Sequence, residues 1–439
     1  MYSSILLHGE KVSDNNIRKI GAKGYISIPG CFNGENAKIE LTADDLSKHT
    51  LLIGATGCGK TNVFYHYIMQ IKSKLASNDV MIIFDTKGDF VKQFYTSGDY
   101  IIGNSKQYSD KSAVWNIYKE IVADGWNEEN IEQNTREIVH SIFKDAIEKN
   151  NSQPFFPNAA TDLLVAIIIA HLRFLKGDKA AMNSFLNNRA LKRYLDNLSV
   201  KKIEALLANE DDLKAVLTYL GDGQSDQSMG VISELQSVVR QIFVGIFREA
   251  GDFSISNFVK RKGGKTLFVE YDLAQGETLT PIYRLLFDLA LKEAMGRTKA
   301  EGNVYFVCDE FKLLPNLAHI EDGVNFGRSL GVKVLVGLQS IEQLYEIYGT
   351  SKGKNIAAGF SNIIAFKAND PSTREYIRGL YGENIVLEQY TGLANTIVEE
   401  KRSGKAIEDW DMTSLDIGEA IVGLPFASPF TFKFDLFRG

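Results

Sequence analysis

Along the 439 residues, short apolar runs rich in Ile, Val and Phe recur between longer stretches of helical period. These runs predict strands over residues 50–53, 80–84, 266–271, 303–308, 332–336, 362–366 and 419–424. They are apolar nearly throughout rather than alternating, as strands covered on both faces are, so the pattern predicts an α/β fold with a parallel-rich central sheet. After the third run, Ile282, Leu285, Leu286 and Leu289 form one helical stripe, with Thr280 as its expected cap, Pro281 in its first turn and Gly296 at its end. From about residue 116 to 220 the strand-like runs vanish, and charged, helix-favouring segments such as NIEQNTREIVHSIFKDAIEKN replace them. That change predicts an inserted all-helical domain. The polar stretch GDGQSDQSMG, residues 221–230, reads as a loop or return linker. The expected organisation is a small β-rich segment (1–44), a first nucleotide-binding part (45–115), the helical insert (116–220) and a second nucleotide-binding part (221–439).

Chemistry enters at the end of the first strand. GATGCGKT, residues 54–61, matches GxxxxGK[ST] between the strand HTLLI and the helical NVFYHYIMQIKSKL. Glycines there let backbone N–H groups turn inward around a phosphate at a helix N-terminus. Thr56, Gly57, Cys58, Gly59, Lys60, Thr61 and Asn62 are the expected nucleotide contacts, with Lys60 a point charge on the β/γ-phosphates and Thr61 a Mg²⁺ ligand. A plain glycine turn is the alternative, and the strand–loop–helix context argues against it.

The run NVYFVCDE, 303–310, ends an apolar strand in two acids. A buried sheet presents an acid in this way at its C-terminal edge, beside a phosphate loop. Asp309 then serves the metal and its water shell, and Glu310 the attacking water as general base. A helix N-cap followed by a first-turn acid fits the same two residues. VKVLVGL runs into Gln339, which either senses the γ-phosphate and orients water or simply starts a loop. Arg328 is either a finger donated to a neighbouring subunit or a cation at a helix C-terminus.

Other signals carry less. The net charge of −6 means that a nucleic-acid partner must be met by local basic patches. The cluster Lys260, Arg261, Lys262 and Lys265 fits a solvated loop better than a DNA contact. GRSLG, 327–331, matches GxSxG but precedes a strand instead of following one, which excludes a nucleophile elbow at Ser329. Three cysteines without a staple pattern fit a reducing compartment, and the six scattered histidines give no zinc spacing. The most apolar run, 163–172, is short of the roughly 20 residues that span a bilayer, so a soluble chain is expected.

In order, GATGCGKT, IIFDTKGDF, VCDEFKLLPNL and GVKVLVGLQSIEQLYEIYG resemble the successive blocks of the type IV secretion coupling proteins, the TraG/TraD-like group of the HerA–FtsK superfamily. FFPNAATDLLVAIII and LFVEYDL with LTPIYRLLFDLAL resemble the opening of that family's helical domain and its return segment. The resemblance spans about residues 45–425. It implies a RecA-like, P-loop, ring-forming DNA-dependent ATPase using ATP and Mg²⁺, a homo-hexamer when active, on DNA that is single-stranded and not read by sequence. Lys60 and Thr61 then look like the nucleotide pair, Asp309 and Glu310 the second acidic motif, Gln339 the polar sensor and Arg328 the trans-acting arginine. Asp85, in DTKGD, looks like a structural or phosphate-side residue. Relaxosome and secretion-channel proteins are the implied partners. The family's usual N-terminal transmembrane pair has no match in these residues. The expected location is therefore the cytoplasm, at the inner membrane face through a separate membrane-anchored partner. The alternatives at this point are a HerA-like soluble translocase or packaging motor, and a nucleotide-switched cargo scaffold.

Overall fold

The computed structural model describes residues 3–8, 24–150, 154–221, 223, 225–274, 276–296, 301–391 and 397–439. Its strands are β1 (Ser3–His8), β2 (Ile26–Phe32), β3 (Glu35–Leu41), β4 (Thr50–Ile53), β5 (Val80–Asp85), β6 (Tyr100–Ile102) and β7 (Lys265–Glu270). They continue with β8 (Val304–Cys308), β9 (Val332–Leu338), β10 (Asn362–Phe366), β11 (Glu383–Thr391), β12 (Ile397–Lys405), β13 (Glu419–Leu424) and β14 (Ala427–Phe434). Eleven form one sheet in the order β3-β2-β14-β13-β10-β4-β9-β8-β5-β7-β6, and β1-β11-β12 form a second. From β10 to β6 every pairing in the large sheet is parallel, while β13, β14, β2 and β3 add an antiparallel flank.

Burial on both sides explains the unbroken apolar runs. Leu51 and Ile53 face one cluster and Leu52 the other, and all three are fully buried. The helix Lys60–Lys72 covers the second face with Val63, Phe64, Tyr67, Ile68 and Ile71. The helix Gly276–Met295 covers the first face. It starts a turn earlier than the stripe predicts. Thr280 is therefore no cap, and its Oγ1 donates to the Gly276 carbonyl at 3.1 Å, while Pro281 stands inside the helix. The stripe marks the buried face only, whereas the first turn is helical without contributing to that stripe.

The helical layer also runs past residue 220. Half of the stretch expected as a linker is helix: Asp226–Ile242, capped by Ser225 accepting from Ser228 N, packs on the helix Phe155–Leu175. That latter helix has 21 residues, long and apolar enough by length and composition to cross a membrane. The ten-residue run understates it because the helix continues on both sides of it. Most of the helix is buried, with Glu128–Lys149 and Asp226–Ile242 packed against it.

A polar neck joins the start and end of this layer. Buried Glu120 accepts from Trp115 Nε1 at 2.9 Å, Ile255 N at 2.8 Å and Ser256 N at 2.9 Å. Asn188 donates to the Trp115 and Phe247 carbonyls at 2.7 and 2.9 Å and accepts from Ile117 N at 3.0 Å. Burial pushes the Glu120 carboxyl upward, and these donors hold it the other way.

Candidate active site

The loop after β4 takes shape because three of its positions are glycine. Gly57 and Gly59 have φ of 77° and 114°, in the left-handed region that other residues avoid. A Cβ on Gly59 would also lie 3.0 Å from Gly418 Cα, and one on Gly54 would lie 2.7 Å from Phe366 Cβ. Gly59 caps the helix Lys60–Lys72 without any side-chain hydrogen bond, so the first-turn N–H groups and the positive end of the helix are left for an anion. Lys60 is buried. Its ammonium donates to the Gly54 and Ala55 carbonyls at 2.7 and 3.1 Å and pairs with no carboxylate among the described residues. Thr56 and Gly57 form the exposed rim. Cys58 is buried, which pushes its thiol up, and its carbonyl accepts from Gly418 N at 2.9 Å.

Strand register brings the acids alongside. β8 lies between β9 and β5, with Cys308 opposite Val336 and Phe84, and Asp309 follows at the same edge as the loop. Thr61 Oγ1 donates to Asp309 Oδ2 at 2.7 Å. Asp309 is buried, and burial raises its carboxyl above the ordinary range. The bond from Thr61 opposes that shift, and the neighbouring Glu310 charge adds to it. Gln339 Nε2 donates to both Glu310 oxygens, at 3.1 and 3.3 Å, and so orients the second carboxylate. Glu310 precedes only a 3₁₀ turn, Phe311–Leu313, and its side chain makes no capping hydrogen bond there, which argues against the helix-cap alternative.

Not every expected contact gathers here. The Asn62 side chain is engaged elsewhere: Nδ2 donates to the Asp435 carbonyl at 2.9 Å and Oδ1 accepts from Phe437 N at 2.7 Å. As the third residue of its helix, it can offer a ligand only its backbone. Arg328 precedes β9, whereas Gln339 follows it, so the arginine lies at the opposite edge of the sheet. There it pairs with Asp44 at 2.9 Å, both side chains exposed. Seven strand residues, roughly 23 Å, separate the two edges, which keeps Arg328 out of its own chain's site. Asp85 is held in its own turn: its carboxylate accepts from Val91 N at 2.8 Å and Lys87 N at 3.3 Å, and burial raises its pKa.

The structure adds residues that pattern reading missed. Gly337 lets Asp309 approach, since a Cβ there would lie 2.2 Å from the Asp309 carbonyl oxygen. A glycine inside the run VLVGL was the available signal. Gln343 accepts from Gln339 N at 3.1 Å and fixes the start of that turn, and nothing in its spacing announces this.

The donor set is specific in what it can hold. Two hard oxygen atoms, the Thr61 hydroxyl and the Asp309 carboxylate, suit a small divalent cation, and a lysine paired with no carboxylate among the described residues suits a phosphate. Residues 34–409 match the family described as the type IV secretion-system coupling protein DNA-binding domain. The chain belongs to this family. Coupling protein TraD of Escherichia coli (strain K12) is 25% identical over 399 residues, covering 86% of this chain and 50% of TraD. Conjugal transfer protein TraG of Agrobacterium fabrum is 25% identical over 229 residues, 47% of this chain and 35% of TraG. The chain thus spans half or less of these two relatives. Among solved structures, the bacterial conjugative coupling protein TrwBdeltaN70 superposes with a TM-score of 0.72 at 20% identity, over 99% of this chain and 94% of that one. TrwB in complex with ADP and Mg²⁺ superposes at 0.68 and 19% identity, over 100% and 96%. The coupling-protein fold, RecA-like with a P-loop, is therefore the fold of this chain.

Proposed function

We propose that this coupling-protein-family chain is an ATP-hydrolysing motor that recruits DNA and pumps it, with relaxase cargo, toward a type IV secretion channel. One observation carries the reading. Thr61 and Asp309, 248 positions apart in sequence, meet at 2.7 Å beside a glutamate held by Gln339. In this reading the loop amides and Lys60 bind the β- and γ-phosphates, with Lys60 exchanging its carbonyl partners for phosphate oxygens. Thr61 and Asp309 hold Mg²⁺, which when bound neutralises charge on those phosphates. Glu310 accepts a proton from the attacking water, and Gln339 keeps its carboxylate aimed. Arg328 of a neighbouring subunit completes the site in a homo-hexamer, consistent with its place at the far edge of its own sheet.

The helical layer is proposed as a separate domain that receives DNA and cargo, with the α/β parts before and after it forming the nucleotide domain. The family description and the likeness to TraD and TraG support DNA as the polymer moved. Motion along single-stranded DNA needs backbone contacts without base reading. Docking at the membrane, and to relaxosome and channel proteins, is assigned to partner proteins.

Steady-state ATPase of the full chain, with and without single-stranded or duplex DNA, tests this. The expected result is severalfold stimulation by DNA, with Glu310→Gln binding nucleotide normally but turning over about 100-fold slower, in the range of a lost general base. Lys60→Ala loses binding. Unstimulated hydrolysis, or near-normal turnover in Glu310→Gln, contradicts the proposal.

A further inference from the structure

The sheet edge that carries the candidate site holds charged side chains that the roles above leave unused, Lys87 among them. β5 and β8 are parallel neighbours with Phe84 opposite Cys308, so Asp85 stands level with Asp309. Two residues on, Lys87 is exposed, and its ammonium has no hydrogen-bond or ion-pair partner among the described residues. Its backbone is nonetheless fixed. Buried Asp85 accepts from Lys87 N and Val91 N, and Gly88 takes φ of 70° to cap the helix Asp89–Phe94. The cation is therefore presented from a built turn, on the edge where Thr61 and Asp309 meet.

Charge balance argues for a ligand there. The edge carries at least four carboxylates, Glu270, Asp85, Asp309 and Glu310, and the Lys60 ammonium is folded onto its own loop. A magnesium triphosphate adds further negative charge, and Lys87 is an exposed cation at this edge, as is Lys367, whose carbonyl accepts from Ala55 N of the loop at 2.8 Å.

We propose that Lys87 is a second phosphate-binding residue of this site, contacting the terminal phosphate and stabilising the charge that develops on it during transfer. The inference rests on the site reading above and adds a residue to it. The test compares wild type, Lys87→Met, Lys87→Gln, Lys87→Arg and Lys60→Ala in the full chain. It measures binding of a fluorescent ATP analogue with Mg²⁺ and DNA-stimulated turnover. Both neutral variants should bind within about threefold of wild type and lose roughly 10- to 100-fold in kcat, as when one transition-state donor is removed. Lys87→Arg, keeping the charge, should retain most of the rate. A kcat within twofold of wild type in both neutral variants, with Lys60→Ala inactive, overturns the role of Lys87 alone. A wild-type chain that binds no nucleotide overturns the site reading and this proposal with it.

Discussion

At the scale of single residues, the site depends on close approach as much as on charge. Asp309 reaches Thr61 because position 337 carries no side chain. A Cβ there would lie 2.2 Å from the Asp309 carbonyl oxygen and 3.1 Å from its Oδ1. Gly337→Ala should therefore displace Asp309, destabilise the fold by about 1–3 kcal/mol as overpacking does, and weaken Mg²⁺-dependent nucleotide binding. Urea unfolding and a nucleotide titration check both effects, and wild-type values in the two would contradict the account. The phosphate loop and the acidic pair were readable in the sequence because each motif is local, a few adjacent residues whose chemistry demands them. The Gln339–Glu310 pair was not, because it depends on how β8 and β9 align. Nor was the diversion of Asn62, whose partner Asp435 lies 373 positions away.

At the scale of elements, the turn from the helix Ala43–Ser47 into β4 contains a buried histidine under constraint. His49 adopts φ of 55°, accepts from Val334 N at 3.1 Å through Nδ1, and leaves Nε2 without a partner. Burial, with the charges of Lys333 and Arg328 adding to it, lowers its pKa to about 4. The unfolded chain takes up this proton near pH 6.5 and the folded chain only near pH 4. Stability is thus full above pH 6.5 and falls as pH drops from 6.5 to 4, by up to about 3 kcal/mol from this group. His49→Asn tolerates the left-handed φ and does not titrate. Its stability should fall less steeply over that window, and identical slopes would count against the assignment. Strands such as β4, β9 and β10 were plain from sequence because both their faces are covered. β11 and β12 are largely polar, and β14 is half-exposed and interrupted by Pro429, so none presented an unbroken apolar run. The start of the helix Gly276–Met295 was misplaced for a similar reason, since the apolar stripe reports packing and not hydrogen bonding.

For the whole molecule, the two sheet edges hold complementary halves of one proposed site. The loop and acids lie at one edge and Arg328 at the other, so a ring of like-oriented subunits can bring an arginine to each neighbour's nucleotide. Inactive Arg328→Ala subunits mixed with inactive Lys60→Ala subunits should recover part of the ATPase rate, because mixed interfaces then contain a loop with Lys60 facing an intact arginine. No recovery at any mixing ratio would contradict an arginine acting across the interface. The neck of Glu120, Asn116 and Asn188 joins the two ends of the helical layer through hydrogen bonds, with Asn116 Nδ2 donating to the Leu186 carbonyl at 2.9 Å.

The central claim is that the Thr61 hydroxyl and the Asp309 carboxylate, already touching, share one divalent ion with a bound triphosphate. Mn²⁺ in place of Mg²⁺ makes that ion visible by electron paramagnetic resonance in the presence of a non-hydrolysable ATP analogue. The account predicts a bound-Mn²⁺ signal that requires the nucleotide and is lost or strongly weakened in both Thr61→Ala and Asp309→Asn. A signal of wild-type strength in either variant would contradict it.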